Sequence, residues 1–190
     1  MSNIVCADVE DAENIISIFP VLGNQGGGTI CTITGSNFIN TGSLACRVGL
    51  FDPKIATWMS STSLLCPMPI SPITGEADVT VSNNNQDFTA ASLTFTFTEN
   101  LVFSSVTPTQ GPSSGGSIVS VTGQVFWTTM WCKFDVTAVQ ATVQSSSSAL
   151  CRSPAASSGS KSLALSNNNQ DFTGGHTFTY YGVSIYLCAV

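Results

Sequence analysis

The stretch Thr29-Ile-Cys-Thr-Ile-Thr34 alternates polar with apolar residues, and Ser117-Ile-Val-Ser-Val-Thr122 does the same. Each follows a Gly-Gly step and ends at a glycine, the punctuation of a short β-strand with one buried face. Leu93-Thr-Phe-Thr-Phe-Thr98 and Thr177-Phe-Thr-Tyr180 alternate aromatic with polar positions, which predicts closing strands wet on one side. Between Asp78-Val-Thr-Val-Ser82 and the first closing strand lies Asn83-Asn-Asn-Gln86. Asn tolerates positive φ and bonds its own backbone, so this run predicts a hairpin turn. No stretch of ten or more residues carries a capped helical period. The chain reads as all-β.

These elements occur twice. Ser82-Asn-Asn-Asn-Gln-Asp-Phe-Thr89 recurs as Ser166-Asn-Asn-Asn-Gln-Asp-Phe-Thr173, 84 residues on. Pro20, Gly27, Gly28, Gly35 and Phe38 pair with Pro108, Gly115, Gly116, Gly123 and Phe126, each 88 apart. Cys46 pairs with Cys132 at 86, and Cys66 with Cys151 at 85. A shift that falls smoothly from 88 to 84 marks a duplicated domain that lost a few loop residues. The predicted organisation is an acidic segment over 1–14, domains over 15–99 and 100–181, and a strand-like tail over 182–190. A short connection is expected near Glu99–Leu101. Roughly seven short strands per copy predict a small β-sandwich, twice in tandem.

Composition narrows the partners. Of 190 residues only 8% are charged, against a usual ~25%. The chain holds 27 Ser and 22 Thr, so hydroxyls and amides rather than charge keep it soluble. The net charge is −6, with five basic residues (Arg47, Lys54, Lys133, Arg152, Lys161). A phosphate-tracking surface needs clustered Lys and Arg, so nucleic acid is not an expected partner. Four acids (Asp8, Glu10, Asp11, Glu13) fall in the first thirteen residues. No apolar run reaches the ~20 residues of a membrane span, and no membrane insertion is expected in this segment. The N-terminus lacks the basic and apolar regions of a signal peptide, which suits a fragment or a processed form. There is no Asn-x-Ser/Thr sequon.

Pro108-Thr-Gln-Gly111-Pro-Ser-Ser-Gly-Gly116, a Ser/Thr-rich strand, Gly-x-x-Phe, paired cysteines and a Ser-Asn-x-x-x-x-Phe hairpin together resemble the IPT/TIG domain. The first copy, Pro20-Val-Leu-Gly23-Asn-Gln-Gly-Gly-Gly28, lacks the Pro after its first Gly. The resemblance implies two tandem immunoglobulin-like sandwiches. It also implies a role like that of the repeats in plexins, the hepatocyte growth factor receptor and fibrocystin-like surface proteins, which serve as stalks and protein-binding units. A sandwich is a scaffold for many tasks, so the fold follows more firmly than the function. The Rel-type transcription factors share the fold, but the acidic pI, paired cysteines and missing basic loops speak against them.

Seven cysteines are present. Cys46 with Cys66, and Cys132 with Cys151, are expected to form intradomain disulfides tying neighbouring strands, with structural thiols as the alternative. A single His and the lack of Cys-x-x-Cys speak against metal. Disulfides imply an oxidising compartment, so an extracellular or secreted location at the cell surface or matrix is expected. Cys31 fills the slot of Val119 and reads as an inert core thiol. Cys6 and Cys188 are candidate intermolecular thiols.

Candidate chemistry is thin. His176 is the sole potential base for a triad, has no counterpart in the first copy, and reads as a surface residue. Asp87 and Asp171 lie in the predicted hairpins, where Asp caps backbone N–H groups; a calcium site there is the alternative. The Gly runs precede strands and lack a P-loop Lys, so they read as turns. No catalytic residue, cofactor or metal is expected. Trp58, Trp127 and Trp131 are candidates for a carbohydrate-stacking platform, with ordinary core packing as the alternative. Trp127 and Trp131 flank Cys132, where the first copy has Ile39 and Ala45, and they are candidates for an interaction surface. Val183, Ile185 and Leu187 alternate in the tail, in the place of the second copy's opening strand, and join that candidate surface. The expected function is a non-catalytic extracellular protein-binding or adhesion module. The alternative is a scaffold subunit packing into a filament, matrix or mineral-associated assembly, for example with silica. Expected partners are other proteins or further copies of the chain, with a carbohydrate or mineral surface as a further candidate.

Overall fold

The structure, a computed structural model, describes residues 12–182. Cys6 and Cys188 and the tail positions Val183, Ile185 and Leu187 lie outside the described residues. Among the described residues all regular structure is β-strand, in two successive units of nine strands each. The first holds β1 (Asn14–Phe19), β2 (Leu22–Asn24), β3 (Ile30–Ser36), β4 (Ala45–Val48), β5 (Lys54–Ile55), β6 (Thr57–Ser60), β7 (Ser63–Pro67), β8 (Gly75–Ser82) and β9 (Leu93–Thr98). The second repeats the series as β10 (Val102–Thr107), β11 (Gln110–Pro112), β12 (Ile118–Gln124), β13 (Trp131–Phe134), β14 (Thr137–Gln140), β15 (Thr142–Ser145), β16 (Ser148–Arg152), β17 (Gly159–Ser166) and β18 (Thr173–Tyr181).

Each unit is built from a four-stranded and a five-stranded sheet. The orders are β1-β3-β7-β6 with β2-β9-β8-β4-β5, and β10-β12-β16-β15 with β11-β18-β17-β13-β14. The two topologies are the same strand for strand. The opening segment of each unit serves both sheets, changing over after Phe19 and after Thr107, where Pro20 and Pro108 remove the N–H that a continuing ladder would use. In the second unit the transferred strand β11 then runs parallel to β18.

Alternation places the core as the sequence predicts. In β3, Cys31 and Ile33 are fully buried while Thr32 and Thr34 stay accessible. Val119 and Val121 repeat this in β12. Leu64, Val79, Val81, Phe95 and Phe97 close the first core. In the second, Phe134, Phe178 and Tyr180 meet edge to face, with centroids 5.0–6.5 Å apart, a packing worth ~1 kcal/mol per pair beyond burial.

The Gly-x-x-Phe motif has a steric cause. A β-carbon at Gly35 would collide with the Asn14 carbonyl and reach within 2.6 Å of the Phe38 ring. At Gly123 it would collide with the Val102 carbonyl and reach within 2.8 Å of Phe126. In each unit the Phe ring is buried over a glycine beside a β-bulge in the opening strand. Gly27–Gly28 and Gly115–Gly116 both take positive φ, 72° and 86° in one unit and 76° and 87° in the other, so these runs are turns.

Cys46 is bonded to Cys66 and Cys132 to Cys151, each with Cα atoms 6.1 Å apart. They do not tie neighbouring strands, as the spacing led one to expect. Cys46 lies on β4 of the five-stranded sheet and Cys66 on β7 of the four-stranded one, so the bond crosses the sandwich. Cys132 on β13 and Cys151 on β16 do the same. Between the partners the chain makes a hairpin edge on one sheet and then passes to the other, which brings both inward-facing side chains to mid-core.

Candidate interaction surface

The repeated Ser-Asn-Asn-Asn-Gln-Asp-Phe segments do form the β8–β9 and β17–β18 connections, and each Asn has a separate task. The first clamps the loop that follows β3 or β12. Asn83 Oδ1 accepts the Ile39 N–H (3.0 Å) and its Nδ2 donates to the Asn37 carbonyl (2.8 Å). Asn167 accepts from the Trp127 N–H (3.1 Å) and donates to the Val125 carbonyl (2.7 Å). Thr41 and Thr129 hydroxyls close the clamp on the Asn83 and Asn167 carbonyls, both at 2.7 Å. The third Asn (Asn85, Asn169) takes φ of +60°, the left-handed geometry that Asn tolerates.

The second Asn corrects the expectation for the aspartates. Asn84 Oδ1 accepts the backbone N–H groups of Gln86 and Asp87, both at 2.9 Å, and its Nδ2 donates to the Asp87 carboxylate at 2.9 Å. Asn168 treats Gln170 and Asp171 in the same way. The amide caps the turn and the aspartate orients the amide. The Phe that ends the motif is covered by a cation from the neighbouring sheet strand. Arg47 stands 4.1 Å over Phe88, and Lys133 4.1 Å over Phe172. Two of the five basic residues are thereby absorbed into the frame.

The tryptophans fall in different settings. Trp58 is half-buried on β6 and donates its Nε1–H to the Phe38 carbonyl at 3.0 Å. Trp131 is half-buried on β13, paired across to Ser166 and Gln140. Trp127 is 40% exposed in the loop between β12 and β13, its backbone pinned by Asn167. Two residues earlier Val125 sits at φ +61°, an uncommon conformation for a β-branched residue. Thus Trp127 rides on a loop whose backbone is fixed by neighbours rather than by its own preferences.

His176 is half-buried within β18, opposite Leu163, its ring tilted against Phe103 at 4.2 Å between centroids. Its Nε2 lies 3.4 Å from the Phe103 carbonyl. It is packed into the strand rather than sitting at its start, because the register shift between Leu163 and Leu165 draws Gly174 and Gly175 into β18. Among the described residues no group of three or more His, Cys, Asp or Glu side chains is placed to hold a metal ion. Cys31 is buried, and its thiol donates to the Pro20 carbonyl at 3.2 Å.

Residues 14–97 and 101–180 each match the IPT/TIG domain. The chain belongs to the IPT/TIG family. Mouse (Mus musculus) fibrocystin-L is 30% identical over 119 residues, which are 60% of this chain and 3% of that protein. Human (Homo sapiens) plexin-A3 is 31% identical over 120 residues, 57% of this chain and 6% of its own length. The chain thus spans a small part of these curated relatives. The solved extracellular region of plexin A4 shares the fold with a TM-score of 0.59 at 18% identity, covering 90% of this chain and 16% of that one.

Within this IPT/TIG frame the loop residue Val125 carried no sequence signal of its own. Its counterpart Asn37, also at φ +61°, is the signal that was available, since Asn is the side chain suited to that geometry. The clamping role of Asn83 and Asn167 was likewise hidden, because the loops they hold lie about forty residues earlier in the chain.

Proposed function

We propose that this chain is a non-catalytic extracellular module of two IPT/TIG units that serves protein binding or adhesion. One observation carries the reading: each unit of a plexin-like tandem is stapled across its core by a disulfide, and the second unit then presents Trp127 on a clamped, left-handed loop. Exposed Trp on a pre-ordered backbone is the kind of anchor on which protein interfaces concentrate their energy. The disulfides support an oxidising, extracellular setting. Sedimentation velocity over a wide concentration range tests the reading. A binding module stays monomeric throughout, and a Trp127→Ala variant sediments identically. Concentration-dependent assembly reversed by Trp127→Ala would favour the scaffold-subunit alternative instead.

A further inference from the structure

The outer faces of the two four-stranded sheets carry an ordered array of hydroxyl groups. In the first unit the register aligns Ser17 with Thr34, Thr34 with Ser63, and Ser63 with Ser60, one residue from each strand. In the second unit it aligns Ser105, Thr122, Ser148 and Ser145 in the same way. The spacing from strand to strand is ~4.8 Å. The next row, ~7 Å along the strands, is mixed: Phe19, Thr32, Leu65 and Thr57 align in one unit and Thr107, Ser120, Leu150 and Thr142 in the other, so hydroxyls there share the face with apolar side chains. All are at least partly accessible. Ser17 bonds Thr34, and Ser105 bonds Thr122, both at 2.6 Å, so the rows are oriented rather than freely rotating at these points.

The duplication makes the array informative. Every member of the first row is identical between units, whereas the outer face of the opposite sheet has changed freely. There Asp78 corresponds to Ser162, Glu76 to Ser160 and Thr80 to Ala164. Ser is not a strand-favouring residue, so strand propensity gives no reason to keep it on one accessible face and not the other. Neither row holds a formal charge. Arg152, opposite Ile118, is a charge at the margin of the second unit's array.

We propose that this face, in either unit, is a docking surface for an uncharged polysaccharide. A hydroxyl both donates and accepts, so the array is matched by a partner that offers mixed donors and acceptors at close spacing, as a neutral glycan does. With no charge to desolvate or pair, the rows have nothing to offer a phosphate or sulfate polymer. A protein partner fits less well, because protein interfaces are depleted in Ser at their core and hot spots under-represent Ser and Thr. The residues involved are separate from the Trp127 loop, so this inference stands apart from the protein-binding reading.

The test is partition of the purified chain onto insoluble β-glucan and chitin particles, with amorphous silica alongside. The expected result is retention on at least one polysaccharide, unchanged by added salt. Replacing both first rows (S17A, T34A, S60A and S63A with S105A, T122A, S145A and S148A) should weaken it about tenfold. The double variant S60K and S145K, on edge strands that tolerate Lys, should weaken it similarly and guards against a folding defect in the first set. Any of four results would overturn the proposal: no retention on either polysaccharide, retention indifferent to both sets of changes, retention abolished by salt, or retention on silica alone. Monomer–dimer behaviour in the same samples, judged by sedimentation, bears on the protein-binding reading and not on this one.

Discussion

Asn37 and Val125 occupy one position of the fold in its two copies, both at φ +61°, yet only Asn is suited to it. A left-handed backbone that survives the change to a β-branched side chain is imposed from outside. The imposing groups are visible in both units: a glycine two residues earlier that admits the Phe ring, and an Asn of the distant hairpin whose amide holds the carbonyl at 2.7–2.8 Å. The comparison separates frame from decoration. Disulfide, clamp, cap and glycine recur unchanged, while Trp127 replaces Ile39 and Tyr180 replaces Phe97 on the same scaffold.

Breaking the frame should hurt both copies alike, and most at the disulfide. Cys46→Ala with Cys66→Ala, or Cys132→Ala with Cys151→Ala, should destabilise the affected unit by about 3 kcal/mol, the chain-entropy value for a loop of this length. Urea unfolding followed by tryptophan fluorescence reads this out, since Trp58 reports on the first unit and Trp127 and Trp131 on the second. Loss from one pair several-fold larger than from the other would break the equivalence.

The clamp comes next. Asn83→Ala and Asn167→Ala each strand a backbone N–H and release a carbonyl, which should cost about 2 kcal/mol. The loss should be greater at Asn167, because Val125 has no preference of its own for the conformation it would be free to leave. Equal losses would mean that the left-handed turn is held by something else. Smaller again is the exchange of the decorated position itself. Val125→Asn should stabilise the second unit by about 1 kcal/mol, and Asn37→Val should destabilise the first by a similar amount. Both shifts are readable as changes in the urea midpoint at constant slope.

The smallest effect belongs to Tyr180. Burial pushes its phenol above the ordinary value of 10.0, with Ser153 pulling the other way. In the unfolded chain the phenol ionises near its ordinary pKa while the folded chain still holds the proton, so the second unit loses stability as pH rises above about 10. Tyr180→Phe should flatten that alkaline slope, leaving the second unit to behave like the first, which already has Phe97 there.

Much of the frame was legible in the sequence because it rests on local rules. Period-two alternation gave β3, β9 and β12, the Gly-Gly steps gave their turns, and the duplicated Asn run gave its connections. What could not be read was anything set by register between distant strands. The spacing of Cys46 and Cys66 is compatible with one sheet or two, and the crossing between sheets emerges only when the β5–β6 segment is seen to pass from one to the other. Asp87 looked like the cap because Asp caps turns in general, whereas three consecutive Asn offered a better-placed amide. The abundance of Ser and Thr was plain, but their alignment into rows depends on pairings between β1, β3, β7 and β6 that composition does not contain.

The most direct test of the account is the disulfide map of the purified, non-reduced protein. Peptide mass mapping should find Cys46 joined to Cys66 and Cys132 joined to Cys151, with Cys31 available to alkylation only after unfolding. A bond between a cysteine of residues 14–97 and one of residues 101–180 would contradict two separately closed sandwiches, and with them the duplicated frame on which the account rests.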